Sequence, residues 1–143
     1  MADAIDELKK VSDTDIVPVS VHYLDDFSGE ASMTLTNYFG INVFPTVVMD
    51  FNPEARTSLA ALDVLCSIRD DLLTLDAPTC KIDAGIIKKD KSYQVDASIF
   101  IDTDGRYLAG AMLVKDGIVA PQSGGSDNYV HDNVLISFLN HSF

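Results

Sequence analysis

The sequence predicts an α/β fold, in which alternating helices and strands are followed by an antiparallel β meander. From residue 59 to residue 75 the apolar residues recur at three- and four-residue intervals, which is the helical period, and from residue 79 onward they alternate with a period of two. Between the helical stretches, the apolar run Pro45–Phe51 is typical of a strand covered on both faces. We therefore expect one globular unit, in which a first part at residues 1–78 carries a β extension at residues 79–143.

The composition argues against two classes of partner. The chain has 22 acidic and 10 basic side chains, and its formal charge of -12 repels the phosphate backbone of nucleic acids. Apolar residues make up 47% of the chain, yet no run of them approaches the roughly 18 residues of a membrane span. We therefore expect no nucleic-acid partner and no transmembrane segment, whereas a protein or peptide partner stays open.

Three amphipathic stretches predict helices, because their apolar residues share one side. Ser28–Glu30 offers a cap for the second helix, and Gly40 supplies the left-handed residue that stops it. Thr57 or Ser58 caps the third helix, and Pro78 ends it. The predicted helices are Ala2–Val11, Ala31–Phe39 and Leu59–Leu75.

Two runs in the first part predict strands. Ile16–Tyr23 is rich in β-branched residues, although Pro18 removes one ladder donor near its start. The second run is Pro45–Phe51. Because a helix separates the two, they are expected to form a parallel pair joined by a right-handed crossover.

The second half predicts consecutive antiparallel strands with one solvated face. In the middle run, Tyr93, Val95 and Ile99 share a face with other apolar residues, and polar residues take the opposite face. Ile118–Ala120 predicts a further strand, whereas Val130–Phe138 fits a helix or a strand equally well. The three runs of the meander are Thr79–Lys89, Tyr93–Asp102 and Arg106–Lys115.

Two blocks of the sequence resemble a known family. Tyr38–Thr46 resembles the part of the thioredoxin fold in which a helix leads through Tyr-x-Gly-Ile-x-x-x-Pro-Thr into a core strand, with the proline in a cis peptide beside the redox site. The first block is Val17–Tyr23 followed by the strand that begins at Pro45–Thr46, and the second is Leu113–Val119, Gln122 and Tyr129–Leu135. Together the two blocks resemble the outer-membrane-protein-28-related proteins of Bacteroidetes, which combine a thioredoxin-like part with a β-rich region.

This resemblance implies an incomplete thioredoxin-like βαβ unit with an appended antiparallel meander, in a protein of the periplasm or outer-membrane surface. Thioredoxin-like enzymes carry a Cys-x-x-Cys pair at the start of the helix that precedes the Val17 strand, but the helix here begins at Ala2 without a cysteine before it. The resemblance therefore implies a noncatalytic binding or structural module. The alternative is a fragment of a thiol-disulfide oxidoreductase whose cysteines lie upstream.

The family's central strand is also missing before Ala2. No signal peptide opens the sequence, so we expect a fuller form that carries a signal and a lipid anchor. Three ways of filling the gap in the sheet stay open: the two neighbouring strands pair directly, another segment enters, or a second copy completes the sheet as a homodimer.

The candidate site residues lie at two turns. His22 and Asp25 follow a predicted parallel strand, at the sheet edge where open α/β sheets bind ligands, so His22 is either an acid-base group or an ordinary strand-end histidine. Phe44, Pro45 and Thr46 form the candidate cis-proline turn.

The two cysteines, Cys66 and Cys80, do not have a redox or metal spacing. A disulfide between them and two separate free thiols are both open.

No cofactor, metal or catalytic residue is predicted. The three histidines, His22, His131 and His141, lack the spacing of metal ligands, and Asp102–Gly105 is explained by a hairpin turn although it imitates the start of a calcium loop. Ser126 lacks the glycines that surround a nucleophile. Instead, Lys115–Gly117 and Tyr129–Asp132 are predicted to fix loops through hydrogen bonds.

Overall fold

The computed structural model describes residues 2–13, 16–75, 79–122 and 126–139, which form two units. The first unit holds the described residues up to Leu73 and from Ala109 onward, and the second holds those of Thr74–Leu108. Residues from 109 onward are thus grouped with the amino-terminal helices, unlike in the predicted division at residue 78. The described elements are α1 (Ala2–Val11), α2 (Glu30–Tyr38), β1 (Val47–Val48), β2 (Arg56–Thr57), α3 (Leu62–Leu73), β3 (Cys80–Lys89), β4 (Ser92–Ile101), β5 (Met112–Lys115), β6 (Ile118–Ala120), β7 (Tyr129–His131) and β8 (Val134–Phe138).

The predicted α/β class is confirmed at the level of three helices combined with small antiparallel sheets. Helix α1 has the predicted bounds, and it packs against α3 with Leu8 and Leu65 buried. Helix α3 begins at Leu62, so the predicted cap at Thr57 or Ser58 is wrong. The Thr57 hydroxyl accepts a hydrogen bond from the Leu59 amide instead. The helix ends at Leu73, two residues before the predicted end at Leu75, and Pro78 lies outside the described residues.

Helix α2 ends as the sequence predicts. Gly40 has φ +59°, and its amide donates to the Asn37 carbonyl at 3.1 Å, while the Ile41 amide donates to the Thr36 carbonyl at 2.9 Å. This pair of bonds is the Schellman motif, which satisfies the last carbonyls of a helix. At the other end Gly29 is the N-cap, and no side chain caps the helix.

The first predicted strand, Ile16–Tyr23, is wrong as a regular strand. It forms a single parallel bridge, in which the Ser20 amide donates to the Asn133 carbonyl at 2.8 Å and the Leu135 amide donates to the Ser20 carbonyl at 2.9 Å. Pro18 lacks an amide hydrogen and limits pairing before the bridge. The segment therefore lies beside the start of β8.

The predicted parallel pair and its right-handed crossover are also wrong within the described residues. The run Pro45–Phe51 contributes only the two residues of β1, which are half-buried and pair antiparallel with β2. Asp50 and Phe51 both have φ +52°, and the Met49 amide donates to the Ala55 carbonyl at 2.9 Å. The chain therefore reverses directly after β1, and a local hairpin takes the place of a covered strand.

The core of the first unit lies between α2 and β8. Ala31, Leu35 and Phe39 are buried against Leu135, because α2 presents one apolar side to the start of β8. The backbone hydrogen bonds of Ser20 hold the extended segment Ile16–Tyr23 beside β8. The apolar side chains of this segment therefore reach the same cluster. The half-buried residues that complete the cluster are Val19, Val21, Ile41, Val48, Met112 and Phe138.

The carboxy-terminal part forms two antiparallel pairs, β5 with β8 and β6 with β7. The predicted strand Ile118–Ala120 is confirmed, and the stretch that fitted helix or strand forms β7 and β8. The predicted third strand, Arg106–Lys115, is wrong in extent and partner, because only Met112–Lys115 is a strand and it pairs with β8. A meander of three consecutive strands is therefore not formed.

Two aspartates join the turn between β5 and β6 to the turn between β7 and β8 through hydrogen bonds. Asp132 Oδ1 accepts from the Gly117 amide at 2.8 Å, and Asp116 Oδ1 accepts from the Asn133 amide at 2.6 Å. Gly117 and Asn133 both have positive φ, +69° and +55°, as tight turns require. The predicted loop-fixing hydrogen bonds are thus confirmed.

The second unit is a long hairpin of β3 and β4, which pair at ten consecutive positions from Cys80 opposite Ile101 to Lys89 opposite Ser92. Asp90, with φ +47°, provides the left-handed residue of its two-residue turn. These two predicted strands are confirmed, but the prediction that only one face is solvated is wrong, because nearly every residue on both faces is exposed.

Candidate functional site

The predicted pair His22 and Asp25 is brought together in a tight turn. His22 Nδ1 lies 2.6 Å from Asp25 Oδ2. The other carboxylate oxygen, Oδ1, accepts from the Phe27 amide at 3.0 Å and from the Ser28 hydroxyl at 3.2 Å. Asp25 thus both closes the turn and orients the imidazole ring. Leu24, with φ +57°, lets the chain bend directly after the extended segment.

The His22 ring belongs to an aromatic cluster that the sequence analysis did not identify. Its centroid lies 5.1 Å from the Phe27 ring and 5.1 Å from the His131 ring, and Tyr129 packs on His131 at 4.8 Å. Two signals in the sequence point to this cluster. Tyr129 and His131 alternate along a strand and so share a face, and Phe27 lies two residues after the turn aspartate.

His131 is the most enclosed member of this cluster. The residue is only 7% exposed, and its Nε2 atom has no hydrogen-bond partner among the described residues. A buried polar atom without a partner loses the hydrogen bonds that water would provide. Around its Nε2 atom, the His131 imidazole is therefore held by packing against neighbouring rings and not by a hydrogen bond.

The second predicted site, Phe44–Thr46, forms a closed turn with a cis peptide between Phe44 and Pro45. The Thr46 hydroxyl donates to the Val43 carbonyl at 2.6 Å and lies 2.8 Å from the Ser58 hydroxyl. Thr46 therefore ties the turn to itself and to the segment after β2.

A patch of exposed apolar side chains surrounds this turn, and we call it the turn patch. The Tyr23 and Phe44 rings stack with centroids 4.7 Å apart and an interplanar angle of 11°. Tyr23 is 42% exposed and Phe44 46% exposed, so the stacked pair keeps much of its area in solvent. The name covers this stacked pair and its exposed apolar neighbours along the chain, Leu24 and Val43. Since Tyr23 follows His22 directly, the two candidate sites are neighbours along the chain.

The two cysteines are separate in this structure. Cys66 lies half-buried on α3 and Cys80 lies exposed at the start of β3, and both thiols are free. Within residues 2–13, 16–75, 79–122 and 126–139, no group of three or more His, Cys, Asp or Glu side chains is placed to hold a metal ion. His141 lies outside these ranges. None of the described helices has the length and apolar character needed to cross a bilayer.

The pKa of Asp25 is lower than its ordinary value of 3.8. Burial raises this pKa, but the hydrogen bonds from His22, the Phe27 amide and the Ser28 hydroxyl, together with the attraction of the imidazole, outweigh it. The folded state thus holds the carboxylate ionised more strongly than the unfolded state does. The resulting stabilisation is present above about pH 4 and is lost as the pH falls through the folded-state pKa.

We expect Asp25→Asn to remove this acid-side dependence. The difference in free energy of unfolding between wild type and variant should be largest above about pH 4, shrink below it, and stay under about 1 kcal/mol because Asp25 is partly exposed. Urea unfolding between about pH 3 and pH 6 measures it, and Asp26→Asn, which leaves these hydrogen bonds intact, provides the reference curve. A difference that grows on acidification would contradict the assignment.

Comparisons of the chain with family models, with curated proteins and with solved structures found no match. The class of protein is therefore defined by its own fold and sites: a mixed α/β protein of three described helices and small antiparallel sheets, which carries an enclosed histidine cluster beside an exposed apolar turn.

Proposed function

We propose that this chain is a noncatalytic binding module of a bacterial cell-envelope protein, and that the turn patch binds a hydrophobic segment of a protein or peptide partner. The single observation that carries the proposal is the stacked pair of Tyr23 and Phe44, which is held in place yet nearly half exposed. Exposed apolar patches with polar rims mark interaction surfaces more often than isolated exposed residues do.

The patch is pre-organised by its surroundings. The Thr46 hydroxyl closes the turn that carries Phe44, and the Asp25 turn fixes the chain directly after Tyr23. A partner that binds such a surface needs to order few protein side chains, which raises affinity for a given contact area. Aromatic side chains are also the most frequent energetic centres of protein interfaces.

The chemistry of the rim indicates the kind of partner. Asp25 and Asp26 follow the patch directly, and the whole chain has a formal charge of -12. Opposite charges around an apolar contact increase the association rate and exclude partners of like charge. We therefore propose a linear segment with an aromatic or aliphatic side chain flanked by lysine or arginine.

The envelope location and the thioredoxin-like kinship are part of this proposal. They are supported by the family resemblance and by the helix that Gly40 ends just before Pro45. The structure does not form the predicted parallel pair, because β1 pairs antiparallel with β2. The binding role rests on the turn patch and does not depend on the kinship.

Selection from a displayed library of random linear peptides tests the binding role. We expect the selected peptides to combine an aromatic or aliphatic residue with lysine or arginine. Phe44→Ala should weaken the binding of the best peptide at least about tenfold, because it removes half of the stacked pair. Isothermal titration of wild type and variant with the synthetic peptide measures this change.

Met33→Ala is the matched control, because Met33 is a large apolar residue on the outside of α2 with an exposed fraction similar to that of Phe44. This variant should bind the peptide as wild type does. If no peptide is selected, or if the selected peptides bind Phe44→Ala with unchanged affinity, the turn patch is not the binding surface.

A further inference from the structure

The β3–β4 hairpin has one apolar face along most of its length. The cross-strand partners Ile82 and Ile99, Ala84 and Ala97, and Ile86 and Val95 alternate with residues of the other face, so their side chains lie together. Tyr93 extends the same face toward the turn, opposite Lys88. The opposite face is mainly polar, with Asp83, Gln94, Asp96 and Ser98 among its members.

This apolar face is open to solvent. Ile86 is 72% exposed, and Ile82 and Tyr93 are exposed to nearly the same extent. A two-stranded sheet has no second layer of its own, and isolated hairpins are marginally stable in water. Together with their smaller neighbours, these side chains present roughly 500 Å² on one copy, so two copies would bury about 1,000 Å², the lower limit for a specific interface.

The charge distribution favours a second copy as the occupant of the face. Residues 80–101 hold four basic and three acidic side chains, whereas the rest of the chain holds six basic and nineteen acidic ones. Two copies that meet through the strongly acidic parts of the chain repel each other. The hairpin combines an exposed apolar face with a nearly neutral charge, so two copies can meet there without this repulsion.

We propose that the chain forms a two-fold symmetric homodimer in which the apolar faces of two β3–β4 hairpins pack on each other as a two-layer, four-stranded sandwich. The two sheets lie about 10 Å apart, the usual spacing of packed sheets. A two-fold interface is self-complementary, so Ile86 of each copy lies within the same buried patch. This contact uses the faces of the strands, unlike the sheet completion by a second copy that the sequence left open, which uses strand edges.

The neighbouring residues Ile86 and Ile87 provide a matched test, because they have the same side chain and lie on opposite faces of β3. Sedimentation equilibrium of the wild-type chain should give a dimer with a dissociation constant on the order of 10 µM. Ile86→Asp should raise this constant about 100-fold, since it buries a carboxylate in the interface, and Ile87→Asp should change it less than about threefold. A wild-type monomer, or equal effects of the two variants, overturns the proposal.

A second measurement needs no substitution, and it is decisive even where Ile86→Asp loosens the hairpin by removing its contact with Val95. In a mixed sample of isotope-labelled and unlabelled wild-type chains, filtered nuclear Overhauser spectra report contacts between copies only. We expect such contacts between the methyl groups of Ile82, Ile86 and Ile99. Contacts confined to a single chain, or contacts between copies at Ile87 instead, overturn the proposed dimer.

Discussion

Leu135→Ala is expected to lower the free energy of unfolding by about 3 kcal/mol, in the range of other large-to-small substitutions in protein cores. Leu135 is only 2% exposed and packs against Ala31, Leu35 and Phe39. Its amide also bonds to the Ser20 carbonyl, so the backbone at this position is fixed. A fixed backbone limits how far the surroundings collapse into the cavity, which keeps the expected loss above the roughly 2 kcal/mol at the lower end of the known range.

Ile136→Ala is the control for this experiment. Ile136 is the next residue of β8 and is 45% exposed, and the substitution to alanine lowers the β propensity in both variants. We expect a loss of less than about 1 kcal/mol for Ile136→Ala. Urea unfolding followed by circular dichroism measures both changes. Equal losses would mean that β8 is not buried against α2 as described.

The sequence predicts most of what depends on neighbouring residues. Helix α1, the end of α2 at Gly40, the β3–β4 hairpin and strand β6 are all placed correctly. Each of these follows from local physical chemistry: a periodic apolar face, a glycine with positive φ, or an alternation closed by a short turn. The aspartate locks at Gly117 and Asn133 were also foreseeable, because aspartates beside tight turns commonly bond to backbone amides.

Prediction from the sequence fails where the pairing partner of a strand lies far along the chain. Ile16–Tyr23 has strand composition, but its partner is the start of β8, more than a hundred residues away, and the two segments share one bridge only. Composition describes how a residue fits a sheet and does not specify which strand lies beside it. The same limit explains why β5 pairs with β8 instead of with β4. The reversal after Met49 depends on two consecutive left-handed residues, Asp50 and Phe51, and Phe51 is not a residue type that favours this conformation.

At the candidate sites the sequence identifies the central residues but not their neighbours. His22 and Asp25 are three residues apart, so their contact is local and could be predicted. The contact of His22 with His131 joins distant segments, and so does the stacking of Tyr23 on Phe44. These contacts exist because the core positions the extended segment on β8 and the turn after α2.

Substitutions of the buried His131 are expected to have the second large effect on the free energy of unfolding. His131→Ala should lower the free energy of unfolding by about 2 kcal/mol, because it empties the centre of the ring cluster. His131→Phe should instead raise it by about 1 kcal/mol, since the ring contacts with His22, Phe27 and Tyr129 remain and the unpaired Nε2 atom disappears. Urea unfolding at about pH 8, where free imidazole is neutral, measures both changes.

The two His131 variants separate packing from recognition. If the imidazole only fills the cluster, His131→Phe retains the affinity of the selected peptide, because the proposed binding surface is formed by Tyr23 and Phe44. A gain in stability together with a loss of peptide affinity would mean that the unpaired Nε2 atom is kept for a ligand, since groups that bind ligands are often destabilising in the free protein. A loss of stability in His131→Phe would contradict this packing account, because it would mean that the larger apolar ring fits the cluster less well than the imidazole does.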